Sequence, residues 1–235
     1  MVTEVLREAT DMRSYMFAFD EPVMHYAGQH YEIRLTAEDG YQAARLYSAA
    51  MPANGTSNML QLTIALMPRG EVSEYIFHNV KPGSHLEIRG PLGRYFVWTP
   101  QQTDPVLLVG GGTGVIPLRA MRLAHQQAGS RSMMKLLYSA RSYWDMPYKY
   151  ELFPRNGKPA EDIELTFTEQ PPVGWQGYRR RIDAAMLDEV LATFPASPRI
   201  YVCGPTPMVE TVTQLMLSSG LGTNTISAER FGSTA

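Results

Sequence analysis

The amino-acid sequence predicts a two-domain protein, an antiparallel β-barrel followed by an α/β domain built on a doubly wound, five-stranded parallel sheet. Three observations predict it. The amino-terminal part runs in short apolar–polar alternations punctuated by turn residues, the cadence of a small closed barrel. The carboxy-terminal part shows continuous apolar runs, each followed by a helical pattern, as strands covered on both faces and their crossover helices do. Between them, residues 99–105 (TPQQTDP) have the composition of a linker, which sets the expected domains at 1–100 and 101–235.

In the first part, residues 60–66 (LQLTIAL) put Leu60, Leu62, Ile64 and Leu66 on one side and Gln61 and Thr63 on the other, the period of a half-buried strand. Segments 31–35 and 86–88 repeat it. Turns are expected at Glu38-Asp39-Gly40, Ala53-Asn54-Gly55, Lys81-Pro82-Gly83 and Gly90-Pro91-Leu92-Gly93, and a short helix over 73–80. In the second part, the apolar run 106–109 leads through Gly110-Gly111-Gly112-Thr113-Gly114 into a helix from Val115, with Pro117 suited to its first turn. Further strands are expected at 133–138, 163–168, 199–203 and 225–228, with helices around 148–153, 183–193 and 207–219, the last stopped by Gly220. Ligands of such a sheet bind at the carboxyl ends of its strands. Three of those ends carry distinctive residues: 110–114, Ser139-Ala140-Arg141 and Cys203-Gly204-Pro205. A glycine-rich turn before a helix lets backbone N–H groups approach a phosphate, although a bare GGGTG is equally read as a tight structural turn.

Composition narrows the function. Hydrophobic residues make up 44%, charged residues 19%, and the net charge is -2, a folded protein with no basic excess for nucleic acid. Residues 1–20 carry charges of both signs and no apolar core, so neither a signal peptide nor membrane insertion is expected, and the expected compartment is the cytoplasm. The single cysteine, Cys203, cannot supply the four thiolates of an iron–sulfur cluster, and the five histidines show no metal-ligand spacing.

Taken in order, Arg45-Leu46-Tyr47-Ser48, the segment 70–76 (GEVSEYI), Gly90-Pro91-Leu92-Gly93, the segment 111–117 (GGTGVIP), Tyr138-Ser139-Ala140-Arg141, Cys203-Gly204-Pro205 with Met208, and Glu229-Arg230-Phe231 resemble the motifs of the ferredoxin–NADP reductase superfamily. The resemblance spans nearly the whole chain and is to free-standing members that end without an iron–sulfur domain. It implies that Arg45 pairs with the flavin pyrophosphate, Tyr47 lies on the isoalloxazine face and Ser48 bonds near N5. Each role suits the side chain, a bidentate cation, an aromatic plane and a hydroxyl donor. It places Gly70, Val72 and Ser73 at the same pyrophosphate, at the start of the short helix. Gly111, Thr113, Gly114 and Pro117 would receive the dinucleotide pyrophosphate. Cys203, with Gly204, Pro205 and Met208, would border the nicotinamide, and Glu229 would stand near both rings. Phe231 matches an aromatic that stacks on the flavin in plant-type members, but here Gly232-Ser233-Thr234-Ala235 follow it. At the end of the second strand of the sheet, Ser139 and Arg141 are a hydroxyl and a cation suited to a ribose 2'-phosphate, and Arg181 matches a position that helps bind the adenine end, with Arg179 and Arg180 adding positive charge.

The resemblance therefore implies FAD, ahead of FMN, and NADPH, with NADH possible. The expected function is hydride transfer from NAD(P)H to FAD, then single-electron transfer to a separate ferredoxin-like or other one-electron redox protein. Two other readings stay open: a free-flavin reductase, and a non-catalytic electron-relay or regulatory subunit.

Overall fold

The computed structural model describes residues 1–153 and 158–232. Its first part holds strands β1 (Val2–Ala9), β2 (Met12–Ala18), β3 (Met24–His25), β4 (His30–Thr36), β5 (Gln42–Ser48), β6 (Ala53–Asn54), β7 (Met59–Ala65) and β8 (Glu87–Leu92). Helix α1 (Glu71–Asn79) lies between the last two. Two antiparallel sheets, ordered β1-β2-β7 and β5-β4-β8, form the barrel wall, with β3 paired to β6. A bridge from Ala49 to Leu62 joins the sheets beyond the end of β5. Tyr15, Phe17, Ile33, Leu60, Leu62 and Ile64 fill the interior, closed by Val72 and Ile76 of α1.

The second part follows the expected alternation: β9 (Val106–Gly111), α2 (Val115–Gln127), β10 (Met134–Ser142), α3 (Lys149–Leu152), β11 (Ile163–Gln170), α4 (Ala184–Leu191), β12 (Arg199–Pro205), α5 (Thr206–Ser218) and β13 (Ile226–Phe231). The sheet is ordered β11-β10-β9-β12-β13 and every pairing is parallel. The order in which successive strands are laid down reverses between β9 and β12, and such a switch point opens a crevice at the strands' carboxyl ends. All six residues of β9 are buried, as its unbroken apolar run requires.

Differences from the expected elements have local causes. Strands β1, β2 and β5 lack a clean alternation in sequence, yet the β1–β2 hairpin and the β4–β5 ladder hold them. Helix α3 starts one residue later than expected because Tyr148 precedes it in a left-handed conformation, at φ 54°. Strand β7 is buried on both faces: Gln61 and Thr63, expected to face water, are covered by the second domain. Arg119 of α2 reaches Gln61, and Tyr148 reaches Thr63.

Candidate functional site

The crevice brings together residues far apart in sequence. On the barrel side, Ser48 ends β5 directly opposite His30 of β4, so the two side chains share a face of the ladder. Ser48 is buried, and its Oγ has no hydrogen-bond partner among the described residues. An unpaired buried hydroxyl costs roughly 1–3 kcal/mol, so this one asks for a partner from a bound group. From the α/β domain, Glu229 of β13 approaches His30, with Oε1 3.5 Å from Nδ1, and its buried Oε2 is likewise unpartnered among the described residues. Cys203 of β12 is the in-register neighbour of Glu229. Its thiol is fully buried, and burial first, then the Glu229 carboxylate, pushes its pKa well above the usual range.

Tyr47 is half-buried, and burial pushes its phenol up to about 12 despite the nearby Arg45 charge. Arg45 is exposed; its Nη1 donates to the Ala44 carbonyl at 2.7 Å, and among the described residues no carboxylate pairs with it. The phenol of Tyr41 donates to Glu71 Oε2 at 3.1 Å and feels the Arg45 charge, which makes Arg45 and the amino end of α1 neighbours. That end presents backbone N–H groups near a guanidinium that no carboxylate among the described residues pairs with, although Glu71 and Glu74 also stand in its first turn. Gly70 caps it without a side-chain bond. Val72 and Ser73 point inward, and the Ser73 hydroxyl bonds the Gly70 carbonyl at 2.9 Å, leaving only their backbones to meet a phosphate.

Across the switch point, glycines let β9, β12 and the first turn of α2 close up. A Cβ on Gly114 would lie 2.0 Å from the Cys203 carbonyl, one on Gly111 2.6 Å from Met208 Sδ, and one on Gly204 2.9 Å from the same sulfur. Gly112, at φ 53°, has open space where a Cβ would be. Residues Gly112–Gly114 form a 3-10 turn that feeds α2, with Thr113 half-buried and Pro117 buried in the helix's first turn. The Gly112 carbonyl is held by the Tyr138 hydroxyl at 3.1 Å. Met208 lies in the first turn of α5, beside Pro205, and Phe231 pairs with Pro205 and leans on the domain core. Of the residues after Phe231, Ser233, Thr234 and Ala235 lie outside the described residues.

Farther along the crevice, Ser139 is half-buried and Arg141 exposed at the end of β10. Arg141 pairs with Asp145 at 3.4 Å, and the Ser142 hydroxyl donates to the same carboxylate at 2.8 Å. Arg181 is exposed with no ion pair among the described residues, whereas Arg180 pairs with Asp183 at 2.5 Å and Arg179 bonds the Trp175 carbonyl. His30 and Asp145 escaped the sequence reading, since neither carries a motif of its own. The histidine of Gly28-Gln29-His30 had only its place at a strand start as a signal.

An antiparallel barrel joined at a glycine-lined switch point to a doubly wound parallel sheet defines a two-domain architecture whose crevice suits a dinucleotide. The oxidoreductase FAD-binding domain model matches residues 1–97, and the oxidoreductase NAD-binding domain model matches residues 108–214. The ferredoxin–NADP reductase B of Sorangium cellulosum is 31% identical over 219 residues, covering 91% of this chain and 84% of that protein. The chain belongs to the ferredoxin–NADP reductase superfamily. The glycine betaine monooxygenase reductase subunit of Chromohalobacter salexigens is 28% identical over 236 residues, 98% of this chain. The chain spans 63% of that relative's length. The ferredoxin reductase in carbazole 1,9a-dioxygenase superposes with a TM-score of 0.80 at 26% identity, covering 98% of this chain and 68% of that one. The FAD/NAD-binding domain of nitric oxide dioxygenase from Vibrio cholerae, at 22% identity and a TM-score of 0.82 over 99% of this chain and 98% of its own, shares the fold.

Proposed function

We propose that the protein is an NAD(P)H-dependent FAD reductase that delivers single electrons to a separate ferredoxin-like or other one-electron redox protein. The observation that carries this reading is the buried Ser48 hydroxyl, without a hydrogen-bond partner among the described residues, on the ladder opposite His30, which meets Glu229 beside Cys203. Bound FAD supplies a ring that accepts hydride from NAD(P)H and gives up electrons singly. Ser48 donates its hydrogen bond to the hydride-accepting edge of that ring, and Tyr47 covers its face. Arg45 and the backbone N–H groups of Gly70, Val72 and Ser73 hold the pyrophosphate. Gly111, Thr113, Gly114 and Pro117 form the cradle for the dinucleotide pyrophosphate, and Ser139, Arg141 and Arg181 hold its adenine end. Cys203, Gly204, Pro205 and Met208 wall the nicotinamide side, Glu229 borders both rings and Phe231 closes the flavin side. The division at 1–100 and 101–235 assigns one cofactor to each domain. The reading extends to the cytoplasm as the site of action; among the described residues no helix is long and apolar enough to cross a membrane.

The reductase-subunit names of the relatives support the partner class. These 235 residues contain one cysteine, so a cluster that takes electrons from the flavin is held outside them. The deciding experiment is anaerobic titration of the purified protein with NADPH and then NADH, following the flavin band. Bleaching at stoichiometric nucleotide is expected; a colourless protein that cannot be reconstituted with FAD would end the reading.

A further inference from the structure

The two domains are fastened by a partly buried polar junction that the reaction chemistry does not itself require. Its centre is Arg119, in α2, one turn past the glycine cradle. Its Nη1 donates to the Ala50 carbonyl at 2.7 Å and lies 3.4 Å from Gln61 Oε1, both in the barrel. Its Nε donates to Glu151 Oε2 at 2.7 Å, and its guanidinium covers the Tyr148 ring at 4.2 Å. Glu151 is also 3.7 Å from Arg122, which holds Asp162 through two bonds at 2.5 and 3.0 Å.

Beside it runs a closed ring of hydrogen bonds. Ser14 Oγ donates to Glu8 Oε1 at 2.6 Å and lies 2.7 Å from Thr63 Oγ1, which lies 2.5 Å from the Tyr148 hydroxyl. The Tyr148 N–H returns to Glu8 Oε2 at 3.1 Å, and Lys149 Nζ donates to the Glu8 carbonyl. Since Ser14 spends its proton on Glu8, Thr63 donates to Ser14 and Tyr148 to Thr63. Tyr148 keeps a left-handed backbone, unusual outside glycine, because this ring holds it.

Ala50 stands two residues beyond Ser48, and Arg119 five beyond Gly114. One guanidinium thus spans the flavin-side serine's strand end and the helix that opens from the nucleotide cradle. We propose that Arg119 is a positioning residue for hydride transfer: it fixes the angle between the domains, and with it the distance between Ser48 and the crevice wall of Cys203 and Glu229. This rests on the reading above that hydride passes between two rings held there. A shift of about 1 Å between reacting groups slows a transfer by up to ~10²-fold without changing how tightly each partner binds.

The test uses the flavin-loaded protein as Arg119→Gln and Arg119→Lys. Flavin reduction by saturating NAD(P)H is expected to slow roughly tenfold or more in Arg119→Gln, with flavin content and nucleotide Kd nearly unchanged. The long-wavelength absorbance of stacked rings should weaken in parallel. Arg119→Lys keeps the charge but loses the fork and should recover part of both. A readout independent of turnover comes from spin labels at Lys81→Cys and Gln214→Cys, one per domain, with Cys203 buried from the reagent. Their distance distribution should broaden in Arg119→Gln. A wild-type distribution and rate in Arg119→Gln, or a loss confined to KM, would overturn the proposal while leaving the functional reading intact. If Arg119→Gln fails to fold, Arg119→Lys decides by the same measures, and a wild-type rate with an unchanged distribution overturns the proposal. A wild-type protein that neither nucleotide reduces sinks the functional reading, and the positioning role with it.

Discussion

Ser48, Cys203 and Arg141 each tie a local environment to a measurable property. Removing the Ser48 hydroxyl deletes a buried, unpaired donor, so Ser48→Ala should leave flavin bound while slowing its reduction by up to ~10²-fold. Stopped-flow reduction checks this, and an unchanged rate would take Ser48 out of the chemistry. The Cys203 thiol is fully buried and held protonated by its surroundings and by Glu229, which makes it a poor nucleophile. An aromatic disulfide reagent at pH 8 should therefore label native protein far more slowly than protein unfolded in guanidinium. Equal rates would mean that the end of β12 opens freely. Arg141 is engaged by Asp145 yet exposed, and the proposed function has its charge shared with a nucleotide 2'-phosphate. Arg141→Ala should raise KM for NADPH, relative to NADH, by roughly tenfold or more, the loss of one charged hydrogen bond of about 1.5–3 kcal/mol. Equal effects on both nucleotides would assign Arg141 to the Asp145 turn alone.

Among the elements, the first turn of α2 and the end of β12 are in backbone contact. Gly114 has ordinary helical dihedrals, so its need for glycine is one of space: an added Cβ would lie 2.0 Å from the Cys203 carbonyl. Gly114→Ala must part α2 from β12, and a loss of about 1–3 kcal/mol is expected by urea denaturation, as for other overpacked sites. Nucleotide affinity should fall with it, because the same turn aims the helix's N–H groups into the crevice. A stable variant with wild-type affinity would show that the cradle has slack. Gly112→Ala, at positive φ but with open space, should cost only the backbone strain.

For the whole molecule, burial raises the phenols of Tyr31 and Tyr47 to about 12 and pushes Tyr138 and Tyr148 upward as well. The unfolded chain releases these protons near pH 10, the folded one later, so above pH 10 the folded state binds more protons and stability falls as pH rises toward 12. Denaturant midpoints measured from pH 9 to 12 should decline across that window and be nearly flat below it. At the mouth of the crevice, Arg94 and Tyr95 are exposed beside His30 through the Gly93 contact. Reduction of cytochrome c should therefore be slow alone, be accelerated by added ferredoxin, and fall with salt as complementary charges are screened. Fast, salt-independent reduction without a carrier would make the protein a general diaphorase.

The sequence by itself determined the class and order of the two domains, the strand ends that carry glycine, and the Arg45-Tyr47-Ser48 and Cys203-Gly204-Pro205 motifs. Those features are local: apolar period, glycine spacing and short motifs are set by neighbours in the chain. Strands β1, β2 and β5 were not legible, because their hold lies in cross-strand partners and not in their own alternation. The outward face of β7 was misread for a related reason, since Gln61 and Thr63 look solvent-bound until α2 and Tyr148 cover them. His30 against Glu229 and Arg119 against Ala50 are likewise contacts across 199 and 69 residues of chain. Only the docking of one domain on the other makes those pairs, and no periodicity in either segment records a partner so distant.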